Sequence, residues 1–352
     1  MSKTSTPLRI LACSVAHEHG NDYAFVRAFR RAGHSVQLLR PEIFAPPWQA
    51  ELLRFAYRVL QRPLTREFNQ EIIDQAENFK PDLFFVFKGH LIFPETIEHL
   101  KQLGIVCIQF YPDVSFYNHG PYIPKTITKY DWVFSTKPEH PADLAKQFGY
   151  QMSSFLPHAF NPEIHKPVAL SARDQEQYEC DVSFIGNYSK GKEEMLRYLI
   201  KACSNLYIKI WGGTSWRKAS GDVAAKYQGT PVYGLEYAKA IQCSKINLGL
   251  LLETVQSAGR GDRITARTFE IPASGGFMLH QRSDTVLQYF EEGHEVAYFD
   301  DTEEMIVKID FYLTHDHKRK KMIKAAHERC HMSSYSVDHH MERILKKYYE
   351  TI

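Results

Sequence analysis

Short runs that are apolar at every position recur along this chain, each followed by a stretch of helical period, and the pattern breaks once and starts again. A strand apolar on both faces has to be covered on both faces. In practice that means a parallel sheet with helices packed on either side. The first series is LRILACSVA (8–16), HSVQLLR (34–40), PDLFFVFKG (81–89), IVCIQFYPD (105–113) and DWVFSTKP (131–138), with helices predicted near 23–32, 49–79 and 94–103. Residues 156–177 then carry three prolines and little periodicity, which reads as a connection between domains. The second series is CDVSFIGNYS (180–189), LYIKIWGG (206–213), KINLGLLL (245–252), FMLH (277–280) and VAYFD (296–300), with helices expected at 192–203, 234–244 and about 264–273. The 352 residues exceed what a single core usually fills. The prediction is therefore an α/β chain of two Rossmann-like domains with a cleft between them: 1–155, a linker at 156–177, 178–334, and a terminal helix in 335–352 that packs back on the first domain.

Lys plus Arg (43) nearly balance Asp plus Glu (41), so no overall field favours a nucleic acid, and none is expected as a partner. The six cysteines form no C-x-x-C pair and read as small core residues of a reducing compartment. Residues 1–8 (MSKTSTPL) show no charged-then-apolar export pattern and no apolar run approaches 18 residues. The expected location is the cytoplasm.

In open α/β sheets ligands bind beyond the carboxyl ends of the strands, which directs attention to three loops. In SAGRGDRITARTFEIPASGGFML (257–279) a glycine-containing loop opens a predicted helix. The start of that helix, Ile264–Ala266 with Thr265 at its centre, would offer free N–H groups and a positive dipole end to a diphosphate. Arg260, Arg263 and Arg267 would add charge-assisted contacts, and Glu270 on the same helix could accept the two hydroxyls of a ribose. A solvated surface helix fits the same residues. IGNYSKGKEEML (185–196) supplies a second phosphate neighbourhood, with Gly186 for close approach and Lys190 or Lys192 for charge. Trp211-Gly212-Gly213 either borders a nucleobase or belongs to the core.

RTFEIPASGG (267–276), CDVSFIGN (180–187), YGLEYAKAIQCSKINLGL (233–250) and YSVDHHMERIL (335–345) together resemble the retaining GT-B glycosyltransferases with a Glu-x7-Glu signature. They resemble more closely the spore maturation protein B-like glycosyltransferases. The resemblance covers roughly residues 178–350. It implies a donor-binding C-terminal domain in which Glu270 holds the ribose and Asp262, standing where the signature has Glu, approaches the donor sugar. It also implies a metal-independent transfer, with retention, from a UDP- or GDP-linked sugar to a hydroxyl of a glycan or other acceptor, with no further cofactor. The first domain would bind the acceptor, and His17, His19 and Asp22 after the first strand and Asp113 after the fourth are its candidates for the reacting centre, His17 and Asp113 foremost. Histidine suits proton transfer near neutral pH.

Arg54, Arg58, Arg62 and Arg66 fall at a spacing of four along 48–68, a cationic stripe that would suit peripheral contact with an anionic membrane, grip a charged acceptor or remain simply solvated. His327, Cys330 and His331 give no closed metal-ligand spacing, and no metal is predicted. S-A-G-R-G lacks the Lys-Ser/Thr ending of a P-loop. Two rival readings fit the same donor site: a sugar-nucleotide epimerase, and a non-catalytic sugar-nucleotide-binding subunit.

Overall fold

The computed structural model describes residues 6–44 and 51–352, and only the backbone of 51–60. The chain forms two compact units, residues 1–156 joined by 337–352, and residues 157–336.

The first unit is built on a six-stranded sheet: β1 (Arg9–Cys13), β2 (Ser35–Leu39), β3 (Leu83–Phe87), β4 (Val106–Tyr111), β5 (Trp132–Ser135) and β6 (Ser153–Phe155). Their order across the sheet is β2-β1-β3-β4-β5-β6, and every pairing is parallel. The two-residue period of a strand sends alternate side chains to opposite faces. Leu11, Cys13, Phe84 and Val86 accordingly pack with Phe68 and Ile72 of the helix Glu51–Phe79 and with Ile97 of Pro94–Gln102. Phe85 and Phe110 turn to the other face, where Phe29 and Phe25 of the helix Asn21–Arg31 meet them at ring-centroid distances of 5.3 and 4.9 Å.

The terminal helix Val337–Thr351 completes this unit. Val337, Met341, Ile344 and Tyr348 make its buried stripe. Arg31 pairs with Asp338, and the Lys347 ammonium lies 3.8 Å from the centre of the Trp132 ring. β6 was not predicted. Its sequence, SSF, is short and lies at the sheet edge, where no apolar run is needed.

The second unit repeats the layout with β7 (Cys180–Ile185), β8 (Ile208–Trp211), β9 (Ser244–Gly249), β10 (Met278–Gln281) and β11 (Ala297–Phe299). These run β11-β10-β9-β7-β8, again all parallel. Val182, Phe184, Ile246 and Leu248 form its core with Leu196 and Leu199 of the helix Lys190–Ala202. Residues 157–177, read from the sequence as a linker, belong to this unit. They run into a helix, Ala172–Tyr178, closed by a reciprocal capping box between Ser171 and Asp174.

In both sheets the first strand lies beside the third, with the second on its other side, so the chain reverses its direction of travel between β1 and β3 and again between β7 and β9. Such switch points leave a crevice at the carboxyl ends of the strands. Of the predicted arginine stripe, the side chains of Arg54 and Arg58 lie outside the described residues, while Arg62 and Arg66 are exposed. No helix among the described residues is long and apolar enough to cross a membrane.

Because the last helix supplies core to the first unit, Ile344→Ala, at a fully buried position, should destabilise that unit by about 2–5 kcal/mol. Hydrogen exchange should speed up in β1–β5 and stay unchanged in β7–β11.

Candidate functional site

At the switch point of the second unit a single guanidinium joins two strands. Arg267 Nη2 donates to the Leu250 carbonyl at 2.7 Å and Nη1 approaches the Ile185 carbonyl at 3.5 Å. These are the ends of β9 and β7. The guanidinium lies 5.2 Å from the centre of the Phe184 ring, and its Nε is buried without a hydrogen-bond partner. Gly186 makes the approach possible, since a Cβ there would stand 2.5 Å from Arg267 Nη1. The Gly186 carbonyl in turn accepts from Trp216 Nε1 at 2.8 Å. Gly186 therefore admits an arginine. Trp211 is a core residue, 3% exposed.

Beside this arginine the helix Lys190–Ala202 begins, and Lys192 in its first turn is only 6% exposed. The ammonium reaches one carbonyl, that of Asn187, at 3.4 Å. Burial, and then the charge of Arg267, push its pKa down to about 8. Lys190 points into solvent near Glu194.

Lys192 lines a pocket of about 350 Å³ together with Gly191, Glu253, Asp262, Arg282 and Ser283. Glu253 accepts from the Gly191 N–H at 3.2 Å and from the Ser189 hydroxyl, and so closes the start of the helix. Burial opposes its charge, but those bonds outweigh the burial and hold the carboxyl below its ordinary value. Asp262 is brought there by Gly261, where a Cβ would come within 2.1 Å of the Leu252 carbonyl oxygen. The Asp262 N–H donates to that same carbonyl at 2.9 Å.

The helix expected from Ile264 begins three residues later and spans Arg267–Ala273. The Thr265 N–H faces the Thr268 hydroxyl at 3.4 Å, so the chain turns before it coils and the predicted N–H cradle is displaced. The Thr265 side chain is buried with its hydroxyl unpartnered, whereas Arg263 is exposed. Glu270 is 8% exposed. His165 Nε2 lies 3.9 Å from its Oε1.

The first unit holds a second constellation at its own switch point. Lys88 and Gly89, directly after β3, both have left-handed backbone, at φ 69° and 79°. For lysine this conformation is costly. It is held by the Lys88 N–H bond to the Phe110 carbonyl (2.9 Å) and by Gln109 Nε2 donating to the Lys88 carbonyl (2.7 Å). Lys88 Nζ and His119 Nε2 both meet Asp113 Oδ2, at 3.1 and 3.0 Å. Burial would raise the Asp113 pKa, but His119 and Lys88 outweigh it and keep the carboxyl ionised. The His90 ring lies 6.4 Å from that of His119, and burial followed by the Lys88 charge brings its pKa down to about 4. A cavity of about 100 Å³ between Cys13, Val15, Asp22, Lys88 and His90 adjoins the cluster. Asp22 pins the loop after β1, accepting from the Val15 N–H at 2.9 Å. His17 is exposed, its ring edge-on to His19 at 6.1 Å.

The structure thus gathers Lys192, Asp262, Arg267 and Gly186 in one region and places Lys190 and Arg263 on the surface. Sequence reasoning named neither Glu253 nor Lys88, His90, His119 and His165. A Lys-Gly-His directly after the apolar run LFFVF was the available signal for the first unit.

This pair of parallel sheets is the GT-B fold, two Rossmann-like units. A glycosyltransferase from Rickettsia africae ESF-5 matches with a TM-score of 0.69 at 12% identity, over 99% of each chain. Sucrose-phosphate synthase from Thermosynechococcus elongatus matches with a TM-score of 0.66 at 12% identity, over 98% of this chain and 100% of that one. The Anabaena protein HepE in complex with UDP and glucose matches with a TM-score of 0.63 at 9% identity, over 97% and 100%. Residues 191–346 match the family model described as glycosyl transferase-like. The curated protein sequences give no significant match. The structural neighbours show the GT-B fold, and the family match over residues 191–346 points to glycosyl transfer.

The folded-state pKa of Lys192 lies below the ordinary lysine value near 10.4. Between about pH 8 and pH 10 the unfolded chain therefore binds the extra proton, and stability rises with pH through that window. Lys192→Met should accordingly stabilise the ligand-free protein at pH 7, by about 2 kcal/mol. The gain should shrink towards zero by pH 10, as thermal unfolding at the two pH values would show.

Proposed function

We propose that this protein transfers a sugar from a nucleoside diphosphate, uridine or guanosine diphosphate, to a hydroxyl of a glycan or similar acceptor. The observation that carries the reading is the pair of cations, Arg267 and Lys192, gathered at the β7–β9 switch point beside an open pocket. The unpartnered Arg267 Nε and the poorly matched Lys192 ammonium suit the oxygens of a diphosphate. These side chains supply the countercharge that a divalent ion supplies elsewhere, so the reaction proceeds without a metal. Glu270 accepts the ribose hydroxyls and Asp262 faces the donor sugar. HepE, crystallised with UDP and glucose, supports a uridine donor, and the motif around Glu270 supports a spore maturation protein B-like enzyme that retains configuration.

On the first unit, Asp113 is the group that receives the acceptor hydroxyl. Lys88 Nζ and His119 Nε2 both sit on Oδ2, which leaves Oδ1 to accept a hydrogen bond from the acceptor.

A thermal-shift screen of uridine, guanosine, adenosine and thymidine diphosphates and their sugars tests the donor reading. At a hundred times Kd a ligand stabilises by about 2.7 kcal/mol, a rise of several degrees. Glu270→Ala should abolish most of that rise, and an undiminished shift would refute the ribose role. Asp113→Asn should leave the shift intact and lower turnover with acceptor at least tenfold, measured as nucleoside diphosphate release; equal turnover would remove Asp113 from the reaction.

A further inference from the structure

Beneath Glu270 lie two buried side chains that nothing above employs. His165 is 6% exposed and Tyr237 is 7% exposed, against 8% for Glu270 itself. Their rings pack edge to face, with centroids 5.3 Å apart.

The hydrogen bonding fixes which way the histidine proton points. The Asn161 backbone N–H donates to His165 Nδ1 at 3.0 Å, and a backbone amide can only donate. Nδ1 is therefore the unprotonated nitrogen of the neutral ring, and the proton sits on Nε2. That nitrogen is the one 3.9 Å from Glu270 Oε1. Turning the ring over would break the bond from the Asn161 N–H, and the His165 backbone N–H, donating to the Asn161 carbonyl at 2.8 Å, holds that turn closed. Burial keeps the ring neutral despite the neighbouring carboxylate. Tyr237 adds a hydroxyl that is buried without a hydrogen-bond partner, with Glu270 close enough to raise its pKa further after burial has done so. One nitrogen donor of fixed direction and one rotatable hydroxyl thus lie beside one carboxylate.

We propose that His165 and Tyr237 are positioning residues for Glu270: the His165 Nε2–H and the Tyr237 O–H hold its carboxylate turned towards the ribose hydroxyls of the donor. The inference rests on the ribose role given to Glu270 above. A glutamate has three rotatable side-chain bonds, and a carboxylate fixed from behind loses less freedom when it accepts a hydroxyl pair.

The test compares a nucleotide with its form lacking both ribose hydroxyls. Calorimetric Kd values are measured for UDP and GDP, and the tighter of the two is paired with its 2′,3′-dideoxy analogue. The wild type should prefer the ribose form by roughly tenfold or more, the scale of hydrogen bonds to a charged group. Glu270→Gln should bring that ratio close to one. His165→Asn keeps an acceptor for the Asn161 amide but loses the Nε2 donor, and it should reduce the ratio at least threefold, as should Tyr237→Phe. His165→Gln places an amide N–H near the Nε2 position and should restore most of the ratio.

A purely structural histidine predicts the reverse order, with the Asn variant better than the Gln variant in stability and the ratio unmoved in both. If His165→Asn and Tyr237→Phe keep the wild-type ratio while Glu270→Gln loses it, the positioning role is overturned and the ribose role stands. If the wild type shows no preference, or Glu270→Gln keeps it, or neither nucleotide binds, the donor reading fails first and this one with it.

Discussion

The guanidinium of Arg267 is the interaction around which the second unit is arranged. Two neighbouring parallel strands end there with carbonyls that have no further sheet partner, and one side chain satisfies both. The contact requires a glycine at 186, and that glycine's own carbonyl then requires the indole of Trp216. The arrangement places a cation at the sheet edge with one N–H still unmet. Such a group is costly alone and favourable once an anion arrives.

Charge distinguishes the two switch points. In the first unit the Lys88 ammonium sits on the Asp113 carboxylate, so the two charges offset each other. In the second, Glu253 spends its oxygens on Ser189 and the Gly191 amide rather than on Lys192. Its negative charge is directed at a helix end, and Lys192 is left for a visitor. One topology thus carries two electrostatic characters, set by which side chain reaches the cation first.

The strands and their parallel pairing were legible because runs such as LFFVF and VCIQFY have no polar face to leave exposed. The Arg267–Glu270 segment was legible because charged residues interrupt an apolar helix next to a glycine stop. Its start at 267 was not, since that depends on Thr265 and Thr268 facing each other across a turn, a geometry no periodicity encodes. His165 was hidden for a different reason. It lies in the proline-bearing stretch read as linker, and its meaning comes from Glu270, which only the fold brings near. Asp113 was visible as a residue following a strand, but Lys88 and His119, which fix its charge, are separated from it by loops.

The return of residues 337–352 to the first unit bears on how the protein comes into being. On a ribosome the second unit can complete its core while the terminal helix is still inside the exit tunnel, although it is encoded later than most of the first. The earlier-made sheet receives this helix, with Met341 and Ile344 in its buried stripe, only after the whole second unit has been synthesised. Folding of the amino-terminal half thus depends on chain made after the second unit, and a fragment lacking the helix would expose the apolar surface against which Ile344 is buried.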